Sequence, residues 1–378
     1  MWKDKESATR FYNLDFLRFL FALVIINHHL SCLTGLFVDF VHVSPLIATM
    51  RSYAAKGYMG VEFFFILSGV WLQRTLKRSP NSINSFVWKK FMRLWPLLFF
   101  SIFCFWCASL FDLVAFEKYS NILNLLFLQN SGLTLDFGNN ASAWFVSSLF
   151  WSCLFYYILH SVLSERGFFL TVSLIAYFAF VLMVHGNNGS FNAHLKPTFY
   201  SLLNFGMLRA VSEMGLGLGV GHMYDILSKH FLSPIKKEKM IFGIIETVLF
   251  IFVFRNVAFH YFKYQNDLLM TLSIAALILV FMLKKSYLSN FLDRKFFGKL
   301  GDISYATYIM QEVCFIFFRK GIEFFYSDLS NLPDIAMMGI YILCIIITVS
   351  VGIICYAFVE KPIRLFLEKI AKDPHSVF

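Results

Sequence analysis

Ten stretches of about 20 residues, each poor in charge, recur along this chain at 14–34, 58–76, 94–112, 143–163, 167–185, 205–226, 240–259, 267–283, 303–318 and 335–358. At 1.5 Å of rise per residue, a helix of that length matches the hydrocarbon thickness of a bilayer. No water is available there to satisfy backbone N–H and C=O groups, so each must be bonded within its own segment, and the α-helix does this. The expected fold is an all-α integral membrane protein, a bundle of about ten transmembrane helices. Composition points the same way, since 58% hydrophobic and 15% charged residues over 378 positions, with mean hydropathy +0.66, are too apolar for a soluble domain. The second, sixth and ninth stretches are the weakest, because Glu62, Arg209, Glu213 and Glu312 lie inside them.

Charge sets the expected orientation. With the N-terminus inside, most of the 33 Lys and Arg fall in tails and loops assigned to the cytoplasm, the densest running from Arg74 through Lys77, Arg78, Lys89 and Lys90 to Arg93. Both termini are then cytoplasmic, with 1–13 and 365–378 as tails of a single 1–378 domain, and the expected location is a bacterial cytoplasmic (inner) membrane. The outer loops, 113–142 and 186–204, are rich in Asn, Gly and Ser. The first apolar run resembles a signal peptide, but no small-residue cleavage site follows His29, so a retained anchor is expected. The net charge of +10 is spread over separate loops, which argues against a nucleic-acid partner. The seven cysteines lie in or beside apolar segments and imply no disulfide framework. Cys104-Phe-Trp-Cys107 is expected to be two small buried hydrophobes rather than a redox or metal pair. No metal-ligand spacing occurs elsewhere.

Polar residues at membrane depth are costly and by default functional. In the first stretch the eleven-residue step from Arg18 to His29 turns through roughly three turns plus 20°, so both leave one helix face, roughly 16 Å apart along the axis. Asp15, one turn before Arg18, can hold the guanidinium. His29 on that face is either a structural hydrogen-bonder or, with Arg18 beside it, a general base or proton relay. His28 must diverge by about 100°. Glu62 sits in Gly60-Val-Glu-Phe-Phe-Phe-Ile-Leu-Ser68-Gly69, where small residues permit close helix approach, and could pair with Arg18, bond a histidine, or stand at the outer interface. Lys90 and Arg93 share one helix side ahead of Pro96, which can start a helix; the pair suits a polyanion such as a nucleotide phosphate, or equally anionic lipid. Arg209 and Glu213, four apart, can satisfy one another beside glycines 215, 217, 219 and 221.

Taken together these segments resemble the family 3 membrane acyltransferases. The matching pieces are Leu14-Asp15-x-x-Arg18 with His29, Gly60-Val61-Glu62-x-Phe64-Phe65-x-x-Ser68-Gly69, Lys90-x-x-Arg93-x-x-Pro96, Leu300-Gly-x-x-Ser304-Tyr305-x-x-Tyr308, and Val359-Glu360-Lys361-Pro362. The resemblance implies catalytic roles for His29 and Arg18, donor binding by Arg18, Lys90 and Arg93, and supporting roles for Asp15, Glu62, Ser68, Tyr305 and Glu360. It also implies acetyl-coenzyme A as a cytoplasmic donor substrate, with no permanently bound cofactor. The chain departs from the family pattern in having Lys90 for an arginine, Glu62 for an aspartate, Gln311 for a histidine, and no glutamate after Trp144 in the expected place.

The expected function is transfer of an acyl group, acetyl by resemblance, from acyl-coenzyme A to a hydroxyl of a surface polysaccharide such as O-antigen or of a lipid-linked sugar. The competing classes are a proton-coupled transporter or lipid-linked-sugar flippase, and a glycan polymerase. The sequence leaves open the acceptor, the acyl chain length, direct transfer against an acyl-histidine relay, and the oligomeric state.

Overall fold

The computed structural model describes residues 10–32, 45–78, 82–133, 138–192, 197–198, 203–230, 236–259, 267–325 and 333–372. Helices dominate. Among the described residues the sheet is a two-residue antiparallel bridge, Pro197–Thr198 with Leu203–Asn204.

In chain order the helices are α1 (Tyr12–Cys32), α2 (Pro45–Ala54), α3 (Gly60–Arg78), α4 (Ile83–Ser109), α5 (Lys118–Leu125), α6 (Ala143–Val162) and α7 (Glu165–Gly186). There follow α8 (Phe205–His230), α9 (Lys236–Phe259), α10 (Asp267–Leu283), α11 (Tyr287–Leu292), α12 (Lys295–Phe325), α13 (Asp334–Cys355) and α14 (Lys361–Lys372). Each of the ten apolar stretches falls on a helix of its own. Six of these are long and apolar enough to cross a membrane: α1, α4, α6, α7, α9 from Glu238, and α13 continued to Phe366. α10 is a shorter apolar helix, while α3, α8 and α12 carry ionisable side chains in mid-helix.

Burial identifies the centre. Two-thirds (67%) of the apolar window of α1 is buried, against 22% for α9 and for α13. α1 packs on α12 and on α3, and α3 on α8. The outer helices turn Leu170, Leu174, Phe178, Ile244, Val248, Ile251, Ile346 and Ile354 outward, a contiguous apolar exterior that only a lipid solvent satisfies.

The α3–α8 crossing depends on two glycines. A methyl group on Gly69 would overlap the Met214 carbonyl oxygen, and one on Gly217 would overlap that of Ile66. Backbones can touch there because neither residue has a side chain, the packing that small residues permit between apolar helices. Gly219, by contrast, faces open space.

Two prolines do not sit where the sequence suggests. α4 begins at Ile83, capped by the Ser82 hydroxyl accepting from the Ser85 N–H at 3.3 Å, so Pro96 lies inside the helix and does not start it. Lys90 and Arg93 are therefore residues of α4 itself rather than loop residues ahead of it. Pro362 does not end the last helix either. α13 passes through one π-helical turn, Tyr356–Glu360, and runs on without a break into α14, with Pro362 directly after that turn. The expected C-terminal tail is thus helical to Lys372.

Candidate active site

Two adjoining cavities share Arg18 and Arg93 in their walls. The larger, about 440 Å³, is a vestibule whose charged lining comprises Arg10, Arg18, Lys89, Arg93 and Arg364 with Asp15, Asp302 and Glu360. The smaller, about 90 Å³, lies deeper. Its polar wall is Arg18, Lys90, Arg93, Ser68 and Tyr305, and its apolar wall includes Ile25, Val61, Phe64, Phe145 and Tyr308.

Asp15 organises the vestibule. Its Oδ1 accepts from Arg18 Nη1 at 3.2 Å and its Oδ2 from Arg10 Nε at 2.6 Å. Arg10 also donates to Asp302 at 2.7 Å and to the Gly298 carbonyl at 2.8 Å, which ties the start of α1 to α12. Burial opposes charge on Arg10, but its hydrogen bonds to Asp15 and Asp302 outweigh that and hold it above the usual arginine value, so it stays cationic. The glycine of Leu300-Gly301 has its reason here, since a Cβ at 301 would stand 2.5 Å from Asp15 Oδ1. Tyr305 donates to the Leu94 carbonyl at 2.8 Å, fixing α12 against α4 beside Arg93. Ser304 donates to the Gly301 carbonyl at 2.8 Å. Glu360 keeps a buried Oε2 that has no hydrogen-bond partner among the described residues.

His29 lines neither cavity. It lies further along α1, with Nδ1 3.2 Å from Oε1 of Glu312 on α12, although the angle does not yet make a hydrogen bond. Ser142, at the N-cap of α6, donates to the same Glu312 oxygen at 3.3 Å and accepts from Gln311 Nε2 at 2.7 Å, and its carbonyl accepts from Tyr308 at 3.1 Å. His28 turns away, as helix geometry requires, and its Nδ1 donates to the Ala54 carbonyl at 2.9 Å, a structural bond to α2.

Glu62 meets neither Arg18 nor a histidine and is not at an interface. It is fully buried and takes a hydrogen bond from Arg209 Nη2, which also donates to the Tyr58 carbonyl at 2.8 Å. Arg209 Nε stands 3.4 Å from Glu213 Oε1, so the intrahelical pair foreseen from spacing is present but shared. The cause is the glycine-mediated α3–α8 contact, which runs the two helices parallel and sets position 62 against 209 as it sets 69 against 217. Glu62 therefore belongs to a buried triad rather than to the cavities.

The structure thus brings Arg18, Lys90, Arg93, Ser68 and Tyr305 around one cavity, and Asp15 and Glu360 around the vestibule. It sets His29 apart with a new partner. The sequence reading passes over Glu312 as a site residue, although an acid in an apolar helix beside Gln311 was the available signal. Arg10, Asp302 and Arg364 carried no such signal, because nothing in the sequence places them against α1.

A helical, lipid-exposed bundle that lines an internal cavity with Arg18, Lys90 and Arg93 and sets a histidine next to a carboxylate has the parts of a membrane enzyme. The model of the family 3 acyltransferase domain matches residues 11–357, nearly the whole chain, and the protein belongs to that family. It is an acyltransferase. No curated protein and no solved structure matches the chain.

Proposed function

We propose that this enzyme transfers an acetyl group from acetyl-coenzyme A, bound from the cytoplasm, to a hydroxyl of a surface polysaccharide or lipid-linked sugar. The observation that carries the proposal is the pair of cavities joined at Arg18 and Arg93. A five-cation vestibule suits the phosphates of the donor, and a narrow cavity beyond it suits the arm that bears the thioester. His29 is the base for the acceptor hydroxyl. Glu312, facing Nδ1, selects the tautomer that leaves Nε2 free to take the proton, and tightening of that contact on substrate binding is ordinary behaviour for a catalytic pair. The oxygen attacks the thioester carbonyl, the C–S bond breaks as the ester C–O bond forms, and the hydroxyl proton ends on the departing sulfur. Arg18, at the mouth of the inner cavity, holds the anionic end of the donor.

The topology belongs to the same proposal: ten crossings, both termini cytoplasmic, in the bacterial inner membrane. Parallel pairing of α1 with α12 and of α3 with α8 supports it, because the first and ninth crossings must run one way and the second and sixth the other. The test is release of free coenzyme A thiol by purified protein in nanodiscs, given acetyl-coenzyme A and a crude glycan fraction. Acceptor-dependent thiol release is expected. Glycan movement across vesicles with no dependence on coenzyme A would instead make the protein a flippase.

A further inference from the structure

The inner cavity closes in a wall of rings. Phe64 of α3, Phe145 of α6 and Tyr308 of α12 each line it, and their centroids lie 6.1 Å (Phe64 to Phe145), 5.6 Å (Phe145 to Tyr308) and 6.5 Å (Phe64 to Tyr308) apart. Three helices thus contribute one ring each to a single aromatic cluster, with Phe145 to Tyr308 and Phe64 to Phe145 in the edge-on arrangement such rings prefer. The wall is anchored from behind, because Tyr308 donates to the Ser142 carbonyl, and Ser142 carries the Glu312 contact that faces His29. On the cavity side the chemistry changes from cationic, at Arg18, Lys90 and Arg93, to apolar, at Ile25, Val61 and the rings.

The geometry points to Phe64, Phe145 and Tyr308 as the residues that set the length of acyl chain this enzyme accepts. The inference rests on the proposed donor site. A thioester whose phosphates stay with the cations must direct its acyl end at the rings. The space there is about 90 Å³, against about 440 Å³ in the vestibule, and well below the volumes of roughly 300 Å³ or more that hold larger ligands. An acetyl group ends short of the rings, while each further methylene must displace one. Phe145 is almost fully buried and cannot swing out to solvent, whereas Phe64 is half-buried. Phe145 is therefore the stricter limit.

The experiment compares thiol release from acetyl-, butyryl- and hexanoyl-coenzyme A by the full-length protein in nanodiscs, for wild type, Phe145→Ala, Phe64→Ala and Phe145→Leu. Phe103→Ala on the exposed flank of α4 is the control. Wild type is expected to prefer acetyl. The ratio of kcat/KM for hexanoyl over acetyl is expected to rise at least about tenfold in Phe145→Ala, since even one methylene in an apolar pocket shifts discrimination about tenfold or more. The rise should be smaller in Phe64→Ala and unchanged in Phe103→Ala. Phe145→Leu removes the ring with less loss of volume and carries the test if the alanine variant does not fold. Acyl-coenzyme A turnover by wild type with an unchanged ratio in every folded ring variant overturns this inference and leaves the donor site standing. Absence of acyl-coenzyme A turnover in wild type overturns both.

Discussion

At the scale of single residues the proposed site divides into groups that hold and a group that reacts. Arg18 is held by Asp15 and lines both cavities, so Arg18→Ala should weaken donor binding by roughly ten- to a hundredfold, the worth of a charge-assisted hydrogen bond. Arg18→Lys should recover only part of this, because an ammonium keeps the charge and loses the planar fork. Calorimetry on the purified variants with acetyl-coenzyme A decides it, and unchanged affinity in a folded Arg18→Ala protein would reduce the residue to a structural partner of Asp15. His29→Ala should behave oppositely, losing about 10²- to 10⁴-fold in turnover with donor affinity intact. Glu312→Gln keeps the shape at the His29 ring but not the carboxylate. Its kcat should fall while the KM for acetyl-coenzyme A stays near the wild-type value, and steady-state kinetics of the two variants side by side will show whether they act as one unit.

Between elements, the decisive contact is α3 on α8. It is made close by Gly69 and Gly217 and is bound across by Glu62, Arg209 and Glu213, all buried. Two carboxylates face one guanidinium, and neither Glu213 oxygen has a hydrogen bond among the described residues. Removing the arginine strands both acids, so Arg209→Ala should cost about 3 to 5 kcal/mol, the penalty for leaving a buried charge unpaired. Glu213→Gln should be far milder, because Glu62 keeps its bond to Arg209. Thermal unfolding in detergent, followed by loss of monodisperse protein, gives the order of the two variants, and an Arg209→Ala protein as stable as wild type would rule out a structural triad. Gly217→Leu should fail in the same assay for a different reason, since its side chain has no space at the Ile66 carbonyl.

Over the whole molecule, the ten proposed crossings make a definite pattern of sides. Cysteines introduced at the Arg78 and Lys237 positions, in a background from which the seven native cysteines are removed, should label only from the cytoplasmic side, and those at the Asn139 and Asn188 positions only from outside. Labelling of position 78 from outside would break the ten-crossing path. Those positions follow the second, third, fifth and sixth apolar stretches, so a misplaced helix before position 237 would change the sign at one of them or more.

What the sequence by itself determined is what depends on local repetition. Helices over the ten apolar stretches follow from backbone hydrogen bonding in a solvent without water, and the shared face of Asp15, Arg18 and His29 follows from the helix period alone. Only the tertiary structure decided which buried charges meet. Glu62 was open to Arg18, a histidine or the interface until the glycine contact of α3 with α8 gave it to Arg209. Glu312 gained its place beside His29 only because α12 lies parallel to α1, and Arg10 reached Asp302 by the same packing. Pro96 is a different case, since the Ser82 cap that starts α4 thirteen residues ahead of it, and leaves it in the helix interior, is a local contact. Partners distant in sequence are set by how helices pack side by side, and no period along one chain encodes that register.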